Sequence, residues 1–194
     1  MLCSGAAAAC SKPVVAGADR TVGAKGFDAA LADKAILAEL NYQRCKAGLP
    51  GLKASANLRS VADTHARWMA ASNTVSHRST VPGQGTLKAR ISSSGVRARA
   101  ASENIAMLHR FDIDGTSFKV RDASACAFAT NGGKAIPAHS YASLARRAVG
   151  LWMASSGHRK NILDRKVTMV GSAAAVDPSA PYCGQIYLSQ NFAG

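Results

Sequence analysis

The sequence predicts an α+β domain in which helices cover an antiparallel sheet, and three observations predict it. Good helix formers fill the first half of the chain, a strong amphipathic helix pattern over residues 58–70 stands out among them, and strand-like runs gather toward the C-terminal end. No internal repeat interrupts this order, and 194 residues suffice for one core with an appendage.

Residues 1–26 are Ala, Gly and Val with turn formers and no lasting period, which reads as a flexible leader or export remnant. The domain is expected over 27–194. Residues 27–47 form the first helix, stopped by Gly48 and Pro50. The second is clearer, because Leu58, Val61, Ala62, His65, Ala66, Met69 and Ala70 recur at helical spacing and make one apolar stripe. His65 lies on that stripe and reads as a hydrogen-bonded core histidine. The helix ends at "ASNTVSH", which delivers His77 to a loop. The basic run "LKARISSSGVRARA" fits a short helix followed by a loop.

"SENIAML" has helical tendency. "FDIDGTSFKVRDASACAFAT" is rich in β formers and contains Asp114-Gly115, so it reads as a hairpin or irregular strands, and "NGGKAIP" reads as a loop. "SYASLARRAVGLWMASS" is a helix ended by Gly157. "VTMVGSAAAV" and "QIYLSQNFA" close the chain as an antiparallel pair across a Pro-containing turn.

Lys and Arg number 24 against 11 acidic residues, a net charge of +13 that attracts anionic partners. Local concentrations fall at Lys88, Arg90, Arg97 and Arg99, at Arg146 and Arg147, and at Arg159 and Lys160. Aromatic residues are not interleaved with them as base stacking requires, so anionic lipid, glycan or envelope polymer is favoured over nucleic acid. No stretch reaches the ~20 apolar residues of a transmembrane helix.

Five cysteines occur without a CxxC pair. Cys126 and Cys183 both fall in strand-like runs and are the favoured bridge. Cys3 with Cys10 would close a short tail loop, and Cys45 reads equally as a buried thiol or a bridge partner.

Three side chains lie at predicted element boundaries, where clefts rather than cores form: His77 after a helix, Glu103 at the start of one, and His158 after another. Two imidazoles and a carboxylate suit an open divalent-metal site. Each also has a plain structural reading, as a helix cap, an ion pair with a basic neighbour, or a cation at a helix C-terminus. A serine nucleophile at Ser155 or Ser156 near His158 is disfavoured, because no GxSxG elbow exists.

The ordered set "LNYQRCKAGLPGL", "ADTHARWMAASNTVSH", "SENIA", "WMASSGHRKNIL", "VGSAAAV" and "YLSQNF" resembles the CAP superfamily, the domain of cysteine-rich secretory proteins, antigen 5 and pathogenesis-related 1, in its compact bacterial form. The resemblance covers roughly residues 32–194. It implies an α-β-α sandwich with a central antiparallel sheet between helical layers, and a protein that is secreted or held in the periplasm or cell envelope. It also implies a cavity lined by His77, Glu103 and His158 and able to hold a divalent cation, zinc above others. A second family glutamate would fall at Ser155, which weakens general acid-base chemistry. Ser155 and Asn104 are expected to line the cavity, and the stretch around 110–137 is longer than compact members have.

Two functions follow. The favoured one is a monomeric, secreted binding module that takes lipid, glycan, envelope or host components through a basic surface bearing Arg97, Arg99, Arg146, Arg147, Arg159 and Lys160. The alternative is a metal-assisted hydrolase, a peptidase, glycan hydrolase or nuclease, using the same cavity.

Overall fold

The computed structural model describes residues 10–194. Its helices are α1 (Ala29–Lys46), α2 (Ala56–Ser72), α3 (Leu87–Ser93), α4 (Tyr141–Ala154) and α5 (Ser156–Ile162). Its strands are β1 (Lys53–Ala54), β2 (Ala101–His109), β3 (Phe118–Asp122), β4 (Ala127–Thr130), β5 (Ala135–Ile136), β6 (Met169–Asp177) and β7 (Gln185–Ala193).

Local chemistry sets the helix ends. Asp28, Ser55 and Thr86 each accept a hydrogen bond from a backbone amide in the first turn of α1, α2 and α3, and Ser140 with Ser143 forms a reciprocal capping box on α4. α2 stops at Asn73, which takes the left-handed conformation that Asn tolerates at such an end.

The central sheet has the order β1-β6-β7-β2. β6, β7 and β2 are antiparallel as expected, and the two-residue β1 adds a parallel edge that makes the sheet mixed. β7 lies between β6 and β2, so it is paired on both sides and buried along its whole length. Alternate residues face opposite layers. Ile186, Leu188 and Phe192 join Val170 and Ala174 in the main core with α1 and α4. Tyr187 and Ala193 turn the other way, toward α2 and α3, with Ile105, Met69, Leu58 and Ile91. This is the α-β-α sandwich.

"SENIAML" is not helical: it is most of β2, paired residue for residue with β7. Helix propensity differs among such residues by less than about 1 kcal/mol each, and a full ladder against the central strand β7 outweighs it. Gly157 does not end a helix either, since α4 stops at Ala154 and Gly157 lies inside α5. "NGGKAIP" contributes the short β5.

Residues 118–136 build a second sheet, β3-β4-β5, over a small core of Phe111, Ile113, Phe128 and Ile136. The predicted bridge Cys126–Cys183 fastens it to the β6–β7 connection. The other bridge is Cys10–Cys45, not Cys3 with Cys10; Cys3 lies outside the described residues. The early segment is therefore tied down from Cys10 onward rather than loose as the composition suggested. Ala18 and Val22 enter the main core, and Ala142 and Val22 amides donate to the Ala18 and His139 carbonyls across to the start of α4. A turn-rich stretch carries no periodic signal of such packing, because single small residues make it.

One buried acid makes a pH prediction. Asp33 on α1 accepts from Arg59 through Oδ2, but Oδ1 is buried without a protein partner. Burial pushes its carboxyl up to about 6, against the opposing pull of Arg59. The folded state thus holds this proton more tightly than the unfolded chain, so stability from this group is present in acid and lost as pH rises through about 6. Asp33→Asn is expected to match the parent near the bottom of that window and to exceed it at alkaline pH, by up to about 3 kcal/mol. Urea midpoints of both proteins across the pH range check this; equal differences at both extremes would refute it.

Candidate functional site

The site forms where the loop after α2, the helix α3 and the edge strand β2 meet. Leu87, Arg90 and Ile91 lie on one side of α3, and that side faces the sheet, which carries Arg90 into full burial. Glu103 sits on the α2-facing side of β2, opposite Asn191. Their side chains are 0% and 2% exposed and form a bidentate pair: Arg90 Nε donates to Glu103 Oε2 at 3.0 Å, and Nη2 reaches both oxygens at 2.7 Å. The rest of the guanidinium donates to the Gln84 and His77 carbonyls at 2.9 and 2.8 Å. A charge buried this deeply is sustained only when paired and hydrogen-bonded around its rim, and this one is.

His77 extends from the loop so held. Its Nδ1 donates to Glu103 Oε1 at 2.7 Å, while the side chain stays 57% exposed. The carboxylate thereby orients the ring and leaves Nε2 as the free nitrogen toward solvent. His65, on α2, lies behind: Nε2 donates to the Ser76 carbonyl at 2.9 Å and is 4.0 Å from Glu103 Oε2. It is the hydrogen-bonded core histidine that the apolar stripe implied.

His158 comes from the opposite direction. It occupies the first turn of α5, and Asn104 and Asn161 fix that helix against β2. Asn104 Nδ2 donates to the His158 carbonyl at 3.3 Å, and Asn161 Nδ2 donates to Asn104 Oδ1 at 2.9 Å and to the Glu103 carbonyl at 3.1 Å. Partial burial, and then the nearby His77 charge, hold the His158 imidazole below its ordinary range. The His158 imidazole is thereby biased toward its neutral, ligating form.

The three-ligand expectation differs from this geometry. Among the described residues no group of three or more His, Cys, Asp or Glu side chains is set to hold a metal ion. Glu103 faces the Arg90 cation and His77 Nδ1, so it stands behind His77 as an orienting partner rather than beside it as a ligand. Of the expected trio, the imidazoles of His77 and His158 remain as candidate donors. Asn104 points from the opposite face of β2 and acts on His158 through its backbone. Ser155 joins α4 to α5 as the shared cap residue, half-buried.

Arg90 is the residue the sequence reading placed wrongly, among the scattered surface charge. Its i, i+3, i+4 relation to Leu87 and Ile91 is the signal that places it inward. The other basic residues do not share one element. Arg97 and Arg99 are exposed before β2, Arg146 and Arg147 lie on α4 with Arg147 donating to the Asp114 carbonyl, and Arg159 and Lys160 are exposed on α5.

The fold has solved counterparts. An extracellular protein containing an SCP domain from Bacillus anthracis superposes with a TM-score of 0.55 at 25% identity, over 85% of this chain and 41% of that one. An outer surface protein from Borrelia burgdorferi gives 0.54 at 16% identity, over 82% and 90%. A cysteine-rich secretory protein from Staphylococcus aureus gives 0.52 at 16% identity, over 86% and 39%. The chain spans about two fifths of the length of the Bacillus and Staphylococcus proteins. Comparison with curated proteins yields no match. The model of the CAP family, described as the cysteine-rich secretory protein family, matches residues 37–192, a span that runs from within α1 into β7 and carries His77, Arg90, Glu103 and His158 alike; the chain belongs to that family.

Proposed function

We propose that the chain is a CAP-domain binding module of the extracellular space or cell envelope, which holds its ligand rather than hydrolysing it. One observation carries the reading: the Glu103 carboxylate is occupied on both oxygens by Arg90 and on Oε1 by His77 as well. A general base needs a free lone pair within reach of the proton it takes, and this carboxylate offers none toward the cleft. Ser155 at the helix junction supplies no replacement acid or base.

Two disulfides suit an oxidising compartment, and the Bacillus and Borrelia counterparts are described as extracellular and outer-surface proteins. No described helix is long and apolar enough to cross a membrane. A divalent cation, zinc by the imidazole chemistry, would be held by His77 and His158, with Glu103 keeping the His77 ring in place. The net charge of +13 favours an anionic lipid headgroup, glycan or envelope polymer on the outer surface, with Arg97, Arg99, Arg159 and Lys160 as exposed cations.

The test is a calorimetric titration of zinc into the parent and into the His77→Ala/His158→Ala double variant near neutral pH. A stoichiometric heat present in the parent and lost in the variant is expected, without metal-dependent turnover of peptide, glycan or nucleic-acid substrates. Turnover that needs metal and disappears with His158→Ala would replace this reading by the hydrolase.

A further inference from the structure

Beneath α2, four polar side-chain atoms are buried without a protein partner: His65 Nδ1, Ser189 Oγ, and both Oδ1 and Nδ2 of Asn191. All three residues are 1% exposed or less. We infer that they line an internal hydration site, whose ordered water bonds to His65 Nδ1, Ser189 and Asn191 and so fixes the tautomer of His65 behind the His77 cleft. The functional weight of this site rests on the reading of His77 as a ligand-binding residue; its existence does not.

The register brings the groups together. Ser189 and Asn191 are two apart on β7 and share a face, and their partners on β2 are Ile105 and Glu103. Ile105 and Tyr187 on that face share one apolar cluster with Met69 of α2, whereas Ala193 at the other end shares another with Leu58. α2 therefore runs over β6 and β7, and His65, between Leu58 and Met69, lies over the part of the sheet that holds Ser189 and Asn191. The 4.0 Å approach of His65 Nε2 to Glu103 Oε2, directly across from Asn191, agrees with that placement.

The chemistry then selects water. The Ser76 carbonyl can only accept, so His65 donates to it from Nε2–H. Burial holds this ring below its ordinary titration range, hence neutral, and its Nδ1 carries a lone pair that requires a donor. Asn191 also presents an unpaired acceptor and unpaired donors, and Ser189 a hydroxyl that can act either way. A buried water makes about three hydrogen bonds, and three residues surround this one. Buried polar atoms in native proteins are nearly always satisfied by protein or by such a water.

A consequence reaches the surface. Ser76 precedes His77, so the water that keeps Nδ1 as an acceptor also keeps Nε2–H on the carbonyl that anchors the His77 loop. His65 is a positioning residue, and the water is its second support.

The experiment uses the full chain without added metal. Water-to-protein NMR contacts are measured at the methyls of Ala66 and Ala173, with nitrogen shifts for the His65 tautomer. A long-lived water seen from these methyls, with His65 in the Nε2–H form, is the expected result. Asn191→Leu should expel it, abolish the water contacts, move the His77 ring resonances and lower the thermal midpoint by roughly 4 °C or more. Ser189→Ala, a milder change that removes one of three partners, should retain the water signal and serves if the leucine variant does not fold. Absence of a long-lived water in the parent, or a direct His65–Asn191 hydrogen bond in its place, overturns the inference. Because no metal enters, failure of the zinc titration leaves this result readable.

Discussion

Replacing Arg90 with alanine is expected to lower stability by about 3–5 kcal/mol, the range for removing one partner of a buried ion pair. The loss has little to do with the pair's own net worth. Glu103 is 2% exposed, and without Arg90 its buried carboxylate keeps only the His77 hydrogen bond. The same substitution frees the His77 and Gln84 carbonyls that the guanidinium now satisfies, so the loop bearing His77 loses its anchor as well. Arg90→Lys keeps the charge but cannot reproduce the fork that meets both carboxylate oxygens and two carbonyls, and should fall between the two. The double variant Arg90→Met/Glu103→Gln removes both charges together and should recover much of the loss. Urea denaturation of the four proteins checks the order parent, double variant or lysine variant, alanine variant. An alanine variant within 1 kcal/mol of the parent, on the order of an exposed pair, would show that Arg90 and Glu103 are not buried together.

The residues that were legible in the sequence are those whose role is periodic. The α2 stripe from Leu58 to Met69 is the face that meets the sheet, and "VTMVGSAAAV" and "QIYLSQNFA" supply its antiparallel strands β6 and β7. β2 was misread because its sequence lacks clean alternation: Glu103, Asn104, Ile105 and Leu108 are all buried, with polar and apolar groups on both faces. What makes it a strand is its partner β7, which lies more than seventy residues away and has no local trace. The histidines and Glu103 were placed by resemblance, and their spacing alone did not bring them together. Their grouping depends on Arg90, and a cation in a basic run gives no sign of burial unless its helical phase against Leu87 and Ile91 is read. Cys45 was equally opaque, since its partner Cys10 lies in a segment without period.

The second large effect belongs to a residue with no side chain. Gly171 on β6 faces α2, and a Cβ built there would fall inside the contact distance of the Arg59 amide nitrogen and of Leu58. The obstacle is helix backbone, which cannot rotate away as a side chain would, so Gly171→Ala must lift the start of α2 off the sheet. Overpacking a core commonly costs about 1–3 kcal/mol, and a clash with backbone places this variant at or above about 3 kcal/mol. A glycine inside a strand often marks such a close approach, and "VGSAAAV" carries that sign in the sequence. Gly150, exposed on α4 with open space where its Cβ would stand, is the control: Gly150→Ala should stabilise by up to about 1 kcal/mol through helix propensity. The two alanine substitutions thus have opposite signs, measurable as urea midpoints in parallel. The displacement also has a direction. Lifting α2 carries His65 away from Glu103 and Ser76, so Gly171→Ala should weaken the proposed zinc binding at His77 and His158, although the substituted position touches neither. A Gly171→Ala protein as stable as its parent would mean that α2 does not lie this close to β6, and the placement of His65 over β7 would fall with it.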